Sequence, residues 1–141
     1  GDDPTYLHRP KVFRIAEQYL IAAEAAYRKG DEGTAKSYLN RLRRSRNLTT
    51  DVTATGEVLF TEIQNERNRE LAFEGFRLAD IKRWNQGIVR GTPQNRDVIV
   101  TTDPANNYQL NVPAGDNKLT WPIPAANITF ENGRWRQNPG W

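Results

Sequence analysis

The sequence predicts a mainly α fold, in which an antiparallel helix pair and further helices precede a loop-rich C-terminal part with a candidate short β-hairpin. Two observations predict this fold. Apolar residues recur at helical spacing through the first half of the chain. The 141 residues include ten glycines and eight prolines, which imply much loop, and Gly87, Gly91 and Pro93 interrupt regular structure beyond Asn85. A chain of this length can bury the core of one ordinary domain.

The first two helices are predicted as an antiparallel pair over residues 11–46. The first spans residues 11–29, where alanines favour helix and permit a neighbouring helix to approach closely. Gly30 can end it as a C-terminal cap, and Asp31 can cap the second helix, which runs to about Arg46. The predicted apolar face consists of Val12, Ile15, Ala16, Tyr19, Leu20, Ala23, Ala26 and Tyr27, followed by Ala35, Tyr38, Leu39 and Leu42.

Two further helices, which carry most of the acidic and basic motifs, are predicted within residues 57–84. A threonine-rich loop over residues 48–56 precedes them, and Thr55 can cap the third helix, which spans residues 57–73. A bend at Gly75 separates this helix from a short fourth helix over residues 77–84.

The loop-rich tail, residues 85–141, contains the predicted hairpin. Residues 97–102 have the composition of a strand, and residues 108–112 could pair with them across the turn at Asp103 and Pro104. From Pro113 onward we expect an irregular segment that aromatic side chains hold in place.

One face of the third helix carries charges where a core-facing helix would carry leucines. Four of the six residues at the i, i+3, i+4 spacing of this face are charged, so it either meets water or is buried with its charges paired. We expect a partly buried structural ion-pair network, because Glu70 and Glu74 lie at i+3 and i+7 from Arg67. The predicted network consists of Glu66, Arg67, Glu70, Glu74, Arg77 and Asp80.

A glycosidase is the catalytic alternative for this row of glutamates. Retaining glycosidases place two carboxyl groups about 5–5.5 Å apart on opposite sides of a sugar ring. Glu66, Glu70 and Glu74 instead project in one direction, and neighbouring arginines would lower the pKa values of their carboxyl groups, which makes them poor proton donors. We therefore predict no enzyme activity and no catalytic residue. The chain has no Cys and only one His, so we expect neither a metal site nor a cofactor.

The net charge of +3 and the pI of about 9.4 invite a nucleic-acid-binding interpretation. The basic cluster lies on the second helix, on a side that is predicted to face solvent, and consists of Arg41, Arg43, Arg44 and Arg46. No aromatic residues are interleaved with it, and no groove-reading motif accompanies it. We expect an exposed face or a protein contact there, and no nucleic-acid partner.

Aromatic rings beside amide or guanidinium groups are candidate sugar contacts, because a ring can stack on a sugar while polar side chains bind its hydroxyl groups. The weak candidates for ligand contact are Tyr108, Asn106, Asn107 and Trp135. Packing within the protein is the alternative for these aromatic residues, and we favour it for Trp84, Trp121 and Trp141.

Three segments in a fixed order carry a resemblance to a known family. They are ERNRELAFEGFRLADIKRW at residues 66–84, WPIP at residues 121–124 and QNPGW at residues 137–141. They resemble the C-terminal region of the SusD/RagB family, the nutrient-binding, mostly glycan-binding, outer-membrane lipoproteins of the Bacteroidetes. The helix pair over residues 11–46 also resembles one tetratricopeptide unit. On periodicity alone an ordinary helical hairpin is an equal alternative, but the family resemblance implies the tetratricopeptide-like pair.

The resemblance implies a non-catalytic protein that captures oligosaccharide, or another nutrient, and hands it to a TonB-dependent, SusC-like transporter. It also implies a surface-exposed lipoprotein of the cell outer membrane, attached only through an N-terminal lipid anchor that is not in this chain. We therefore expect residues 1–141 to be a single C-terminal piece of a larger protein and to serve mainly as scaffold. The alternative is a stand-alone tetratricopeptide-like module for protein–protein interaction.

Overall fold

The computed structural model describes residues 13–90 and 111–141. The predicted mainly α fold is confirmed, with two short paired strands. Two compact units divide the chain, Gly1–Glu74 and Gly75–Trp141. Within the described ranges, no helix is long and apolar enough to cross a membrane. The elements in chain order are α1 Ile15–Arg28, α2 Glu32–Ser45, α3 Gly56–Glu70, α4 Arg77–Arg83, β1 Ile88–Val89, β2 Asn111–Val112, a 3₁₀ turn Asn117–Leu119, and α5 Ala125–Phe130.

A tight turn joins α1 to α2. Gly30 has a φ of +82°, which glycine adopts without the strain that a side chain would bring, and it ends the first helix as predicted. The Asp31 carboxylate accepts a hydrogen bond from the backbone N–H of Thr34 at 2.9 Å, so the predicted cap of α2 is also confirmed. The predicted helical positions Lys11 and Val12 lie outside the described residues.

The core of the first unit lies where α1, α2 and α3 pack together. Alanine at positions 23 and 35 keeps side-chain bulk small there, which lets the helices approach closely. Replacing a buried leucine of this core by alanine would remove about 2–5 kcal/mol of stability. Of the predicted apolar face, Ile15 and Tyr38 are exposed instead. The fully buried core residues are Leu20, Ala23, Ala35, Leu39, Leu59 and Ile63.

The connection from α2 to α3 is held by side chains of α2. The buried Asn40 accepts a hydrogen bond from the Val52 N–H at 2.8 Å and donates to the Val52 carbonyl oxygen at 3.1 Å. Thr55 occupies the N-cap position of α3, but its side chain makes no capping hydrogen bond, so that prediction was wrong. The N–H of Gly56 donates to Glu32 Oε1 at 2.8 Å instead. A carboxylate from another helix thus bonds to a donor at this helix end.

α3 ends earlier than predicted. Its last residue is Glu70, and a turn follows in which Phe73 has a φ of +65° and Gly75 a φ of +85°. Two positive φ values within three residues redirect the chain and cannot continue a right-handed helix. The predicted bend at Gly75 is therefore confirmed, and α4 begins after it, at Arg77.

In the second unit, the short strands β1 and β2 pair antiparallel, with Ile88 opposite Val112. Gly87, just before β1, makes this pairing possible, because a Cβ at this position would lie 2.4 Å from the Val112 carbonyl oxygen. The strand predicted over residues 97–102 lies outside the described residues. Within them, the partner of Asn111 is Val89 of β1.

The segment after Pro113 is more regular than predicted. It contains the 3₁₀ turn and the six-residue helix α5, so the expectation of an irregular tail was wrong. Pro124 is the N-cap residue of α5, and two alanines, good helix formers, follow it. Asn132 and Gly133, with φ values of +50° and +73°, follow the helix and turn the chain away.

Candidate functional site

The charged face of α3 is buried at Glu66 and Arg67 and half-buried at Glu70. Glu66 is 3% exposed and Arg67 is 6% exposed, although both are fully charged residue types at neutral pH. A charge at such a depth is tolerated only when it is paired and hydrogen-bonded. The partners of these side chains come from several segments of the first unit.

Glu66 is bonded to two arginines. Its Oε2 atom lies 2.8 Å from Arg43 Nη1 and 2.7 Å from Arg69 Nη2. Arg43 comes from α2, so this contact joins two helices, whereas Arg69 lies one turn further along α3. Arg43 was predicted to lie on a solvent-facing side, but its side chain is mostly buried.

Glu70 has the largest set of bonds. Arg14, just before α1, donates from Nη1 to Glu70 Oε1 at 2.5 Å and from Nη2 to the Glu70 backbone carbonyl oxygen. Arg46, just after α2, donates to the same carboxylate from Nε at 3.0 Å and from Nη2 at 2.6 Å. Arg14 also donates from Nε to Glu74 Oε2 at 2.9 Å. Three segments therefore meet at one pair of carboxylates.

These contacts shift the titration of the groups involved. Hydrogen bonds from Arg46, and then from Arg14, hold the pKa of the Glu70 carboxyl below its usual value, against the opposing effect of burial. The pKa of the Arg14 guanidinium is raised by its hydrogen bonds to Glu74 and Glu70. Glu70 therefore remains ionised throughout the physiological pH range.

The other members of the predicted network are distributed differently. Arg67 Nη2 lies 3.7 Å from Glu17 Oε1 of α1, whereas Glu70 and Glu74 are bonded to Arg14. Arg77 and Asp80 belong to the second unit. Asp80 is buried there and accepts a hydrogen bond from Arg83 Nε at 2.8 Å, and Arg77 is exposed.

Sequence reasoning missed Arg14, Arg43 and Arg46 as partners of the α3 glutamates. The spacing of residues in the sequence could have predicted two of these partners. Arg43 and Arg46 are spaced i, i+3 on one side of α2, and that spacing matches the one-turn spacing of Glu66 and Glu70 on α3. Arg14 carries no comparable signal, because it precedes the helix and is 56 residues from Glu70 in the chain. We name the group formed by Arg14, Arg43, Arg46, Glu66, Glu70 and Glu74 the arginine–glutamate cluster.

In the second unit, residues 120–124 and residues 137–141 are joined by side-chain hydrogen bonds, and we name this arrangement the C-terminal clasp. The Gln137 amide accepts from the Ile123 N–H and donates to the Ile123 carbonyl oxygen, both at 2.8 Å. Asn138 Nδ2 donates to the Trp121 carbonyl oxygen at 2.7 Å. Trp141 Nε1 donates to the Thr120 carbonyl oxygen at 2.9 Å. Two of the sequence motifs noted above are thus bonded to each other.

The clasp fixes the backbone but leaves aromatic rings exposed. Trp121 is 78% exposed, so the expectation that it is packed was wrong for the described residues, while Trp141 is anchored through its indole N–H. Of the weak ligand-contact candidates, Trp135 is exposed, whereas Asn106, Asn107 and Tyr108 lie outside the described residues.

A small polar cleft lies beside the clasp, between the end of α4 and the 3₁₀ turn. Its volume is about 130 Å³. Lys82 Nζ donates to Thr120 Oγ1 at 3.2 Å, which links one wall to the other. Asp116 Oδ1 accepts from the Lys118 N–H at 2.7 Å and thereby caps the 3₁₀ turn. The side chains that define the polar cleft are Ile81, Lys82, Asn85, Gln86, Asp116 and Thr120.

No group of three or more His, Cys, Asp or Glu side chains able to hold a metal ion occurs within residues 13–90 and 111–141. The chemistry that the described sites offer is therefore hydrogen bonding, ion pairing and contact with exposed aromatic rings.

Comparison with curated proteins identifies a relative of greater length. The starch-binding protein SusD of Bacteroides thetaiotaomicron is 32% identical to this chain over 116 residues. The match covers 71% of this chain but only 20% of that protein. The chain therefore spans about one fifth of the length of this relative.

Two solved structures share the fold. A candidate sugar-binding protein of Bacteroides vulgatus aligns with a TM-score of 0.73 and 29% identity, over 92% of this chain and 28% of that one. A SusD-like protein of Bacteroides fragilis aligns with a TM-score of 0.61 and 26% identity, over 89% of this chain and 24% of that one. The sequence model of the SusD family matches residues 2–141, which include all the motifs described above. The chain belongs to the SusD family.

Proposed function

We propose that this chain is the C-terminal part of a non-catalytic protein that captures oligosaccharide, or another nutrient, at the outer membrane. Family membership supports this proposal, because one relative is a starch-binding protein and another is a candidate sugar-binding protein. In this proposal the chain serves mainly as scaffold for a glycan site that is built largely elsewhere in the longer protein.

The observation that carries the scaffold role is the bonding of Glu70. Arg14 and Arg46, from two segments that flank the α1–α2 pair, both donate to this one carboxylate. The bonds hold the start of α1 and the end of α2 against the end of α3. Such a frame suits a binding protein, because loops that are held in place lose less conformational entropy when ligand binds.

The same contacts argue against catalysis by these glutamates. A general acid in a glycosidase needs a carboxyl group whose pKa is raised, so that it holds a proton near neutral pH. The pKa of Glu70 is shifted in the opposite direction by its two arginines. Glu66, one turn away, is likewise bonded to two guanidinium groups, those of Arg43 and Arg69.

The partner and the location follow from the family resemblance alone. We propose a TonB-dependent, SusC-like transporter as the partner that receives the captured glycan. We propose the surface of the outer membrane as the location, through a lipid anchor. The sequence contains no Cys, so a lipid-bearing Cys would belong to a further segment of the protein.

The test is glycan-array binding by the longer natural protein that contains this chain, beside the 141-residue chain itself. The longer protein is expected to bind at least one glycan, with an affinity well above that of the chain alone. Equal affinities would contradict the scaffold role. Failure of the longer protein to bind any glycan would contradict capture. Co-purification with a transporter of the stated class tests the partner separately.

A second function, a stand-alone protein-interaction module, is favoured by one observation. A groove of about 250 Å³ lies between the start of α1 and the end of α2, with Ile15, Tyr19 and Arg41 among its lining residues. A peptide could place an apolar side chain there, as amphipathic segments do in helical grooves. Specific retention of a peptide by the whole chain, lost on Tyr19→Ala but kept on Tyr27→Ala, would support this alternative.

A further inference from the structure

We propose that the polar cleft of the second unit is a subsite for one residue of a neutral oligosaccharide. The inference rests on the proposed function and deepens it, since it names a place and a ligand chemistry within a chain that is otherwise scaffold. The cleft lies outside the arginine–glutamate cluster, and none of its side chains takes part in that cluster.

Local backbone features build the walls of the cleft. Asn85 has a φ of +52°, which turns the chain sharply at the end of α4 and places this residue in one wall. Gly87 then lets the backbone approach Val112 closely, where any side chain would clash with its carbonyl oxygen. The β1–β2 pairing that follows holds residues 85–90 beside the segment that contains Gly115 and Asp116, which form the other wall.

The side chains of the cleft suit a ligand that is rich in hydroxyl groups. A sugar hydroxyl both donates and accepts hydrogen bonds, and the side-chain amide of Asn85 offers both functions. Lys82 is a donor, Asp116 is an acceptor, and their opposite charges leave the cleft without a net charge. A neutral sugar therefore fits this set better than a phosphorylated or an acidic sugar, for which one of the two charges would be unfavourable.

The size of the cleft limits what it can hold. A volume of about 130 Å³ is below the roughly 300–1,000 Å³ of pockets that enclose a drug-sized ligand. The cleft thus fits one sugar residue of a longer glycan, with its floor formed in part by the apolar side chains of Ile81 and Leu119. The affinity of such a single subsite is expected to be on the order of millimolar.

Trp121 is an exposed aromatic residue next to the cleft in sequence, although it is not among the residues that line it. It comes directly after Thr120, which lines the cleft, and its ring is exposed. Two hydrogen bonds hold the backbone at this point. Asn138 Nδ2 donates to the Trp121 carbonyl oxygen, and Trp141 Nε1 donates to the Thr120 carbonyl oxygen. An exposed ring on a fixed backbone can contact the apolar face of the next sugar residue with little loss of conformational entropy.

The test is an NMR titration of the 141-residue chain with maltoheptaose, cellohexaose and mannohexaose as neutral probes and trigalacturonic acid as an acidic probe. We expect at least one neutral probe to shift the side-chain amide signal of Asn85 and the backbone signals of Gln86 and Thr120. The acidic probe should shift them less. If no neutral probe shifts these signals, or if the acidic probe shifts them most, the proposed subsite is wrong.

Matched variants separate binding from folding. Asn85→Gly removes the amide yet tolerates the positive φ, and it should weaken the affinity about fivefold, as the loss of one hydrogen bond does. Asn132→Gly is the control, because Asn132 also has a positive φ, of +50°, and does not line the cleft. It should leave the affinity unchanged. Equal losses in both variants would overturn the proposal.

The ring contact has its own pair of variants. Trp121→Ala should weaken binding of the same neutral probe, whereas Phe130→Ala, at a residue that is 83% exposed, should not. If neither variant loses affinity, the proposed role of Trp121 is wrong. If the longer protein binds glycan but no neutral probe shifts the signals of the cleft residues, the proposed subsite is wrong and the proposed function still stands.

Discussion

The two units differ in the contacts that join their separate segments, although the first unit also has the amide bonds between Asn40 and Val52, and the second has the ion pair between Asp80 and Arg83 within α4. In the first unit, mostly buried charged side chains from different helices are paired, as Glu66 of α3 is with Arg43 of α2. In the second unit, neutral amides bond to the backbone, as Gln137 does with Ile123. Removing one partner of a buried ion pair strands the other charge, whereas a neutral hydrogen bond contributes only about 0.5–1.5 kcal/mol. The first unit should therefore be the less tolerant of single substitutions.

The largest expected effect is that of Arg67→Ala in the first unit. Arg67 is almost fully buried and pairs with the mostly buried Glu17, so its removal leaves a carboxylate without this guanidinium in a poorly solvated place. We expect a loss of about 3–5 kcal/mol in the free energy of unfolding. Urea denaturation followed by circular dichroism at the helix band measures it.

Arg69→Ala is the matched control on the same helix. Arg69 also pairs with a glutamate, but its side chain is 53% exposed. Its loss should therefore lower the free energy of unfolding by less than about 1 kcal/mol. Similar effects of the two substitutions would mean that burial does not set the strength of the ion pairs in the first unit. The expectation that the first unit is the less tolerant of single substitutions would then be wrong.

Two glycine substitutions should act in opposite directions. In Gly87→Ala the new Cβ would lie 2.4 Å from the Val112 carbonyl oxygen, so the β1–β2 pairing must shift, at a loss of about 1–3 kcal/mol. In Gly33→Ala the new Cβ would meet its nearest atom, Asp31 Oδ1, at an ordinary 3.5 Å inside α2. That change should stabilise the chain by about 0.5–1 kcal/mol, because alanine has the higher helix propensity.

Thermal unfolding monitored by circular dichroism compares the two glycine variants. A destabilised Gly33→Ala would mean that α2 carries strain at this position. An unaffected Gly87→Ala would mean that β1 and β2 adjust freely. Hydrogen exchange of the Val89 and Val112 amides localises the change, since only Gly87→Ala should speed exchange there.

A smaller effect is expected from opening the C-terminal clasp. Gln137→Ala removes the amide that bonds to both backbone groups of Ile123, which should lower the stability of the second unit by about 1–2 kcal/mol. Tryptophan fluorescence should report the change, because Trp121 and Trp141 lie within the clasp. Asn127→Ala, at an exposed residue of α5, is the control and should leave the fluorescence unchanged.

Local features could be predicted from the sequence because the residues that decide them are neighbours. The left-handed glycine at position 30 and the Asp31 cap each depend on a few adjacent residues, and both are present. The Thr55 cap failed for a long-range reason. Glu32, from the start of α2, bonds to the Gly56 N–H, a contact that no local pattern encodes.

The partners of the buried charges could be predicted only in part. Helical spacing placed Glu66, Glu70 and Glu74 on one face of the predicted third helix, although Glu74 lies beyond the end of α3. Their partners from other segments are Arg43 of α2, Arg46 just after it, and Arg14 just before α1. A contact between Arg14 and Glu70 depends on how three helices pack, which the spacing along one helix does not determine. The polar cleft was likewise missed, because the residues of its two walls are about thirty positions apart in the chain.

The smallest expected effect is on the pH dependence of the stability of the first unit. The pKa of Glu70 is lowered in the folded chain, chiefly by Arg46 and then by Arg14, from an ordinary value of 4.5. As the pH falls below about 4.5, the unfolded chain binds a proton at this residue before the folded chain does. The stability that Glu70 contributes is thus fully present above that pH and is lost as the pH falls through the lowered pKa.

Glu70→Gln removes this titration. The variant will be less stable at neutral pH, because Arg14 and Arg46 lose their carboxylate, and this difference should shrink as the pH falls, so the informative quantity is the slope of stability against pH between about pH 5 and pH 3. We expect a shallower slope for Glu70→Gln and an unchanged one for Glu62→Gln, which lies on α3 outside the arginine–glutamate cluster. An unchanged slope in Glu70→Gln would mean that the two arginines do not hold this carboxylate in solution. The rigid frame proposed for the first unit would then lose its central contact.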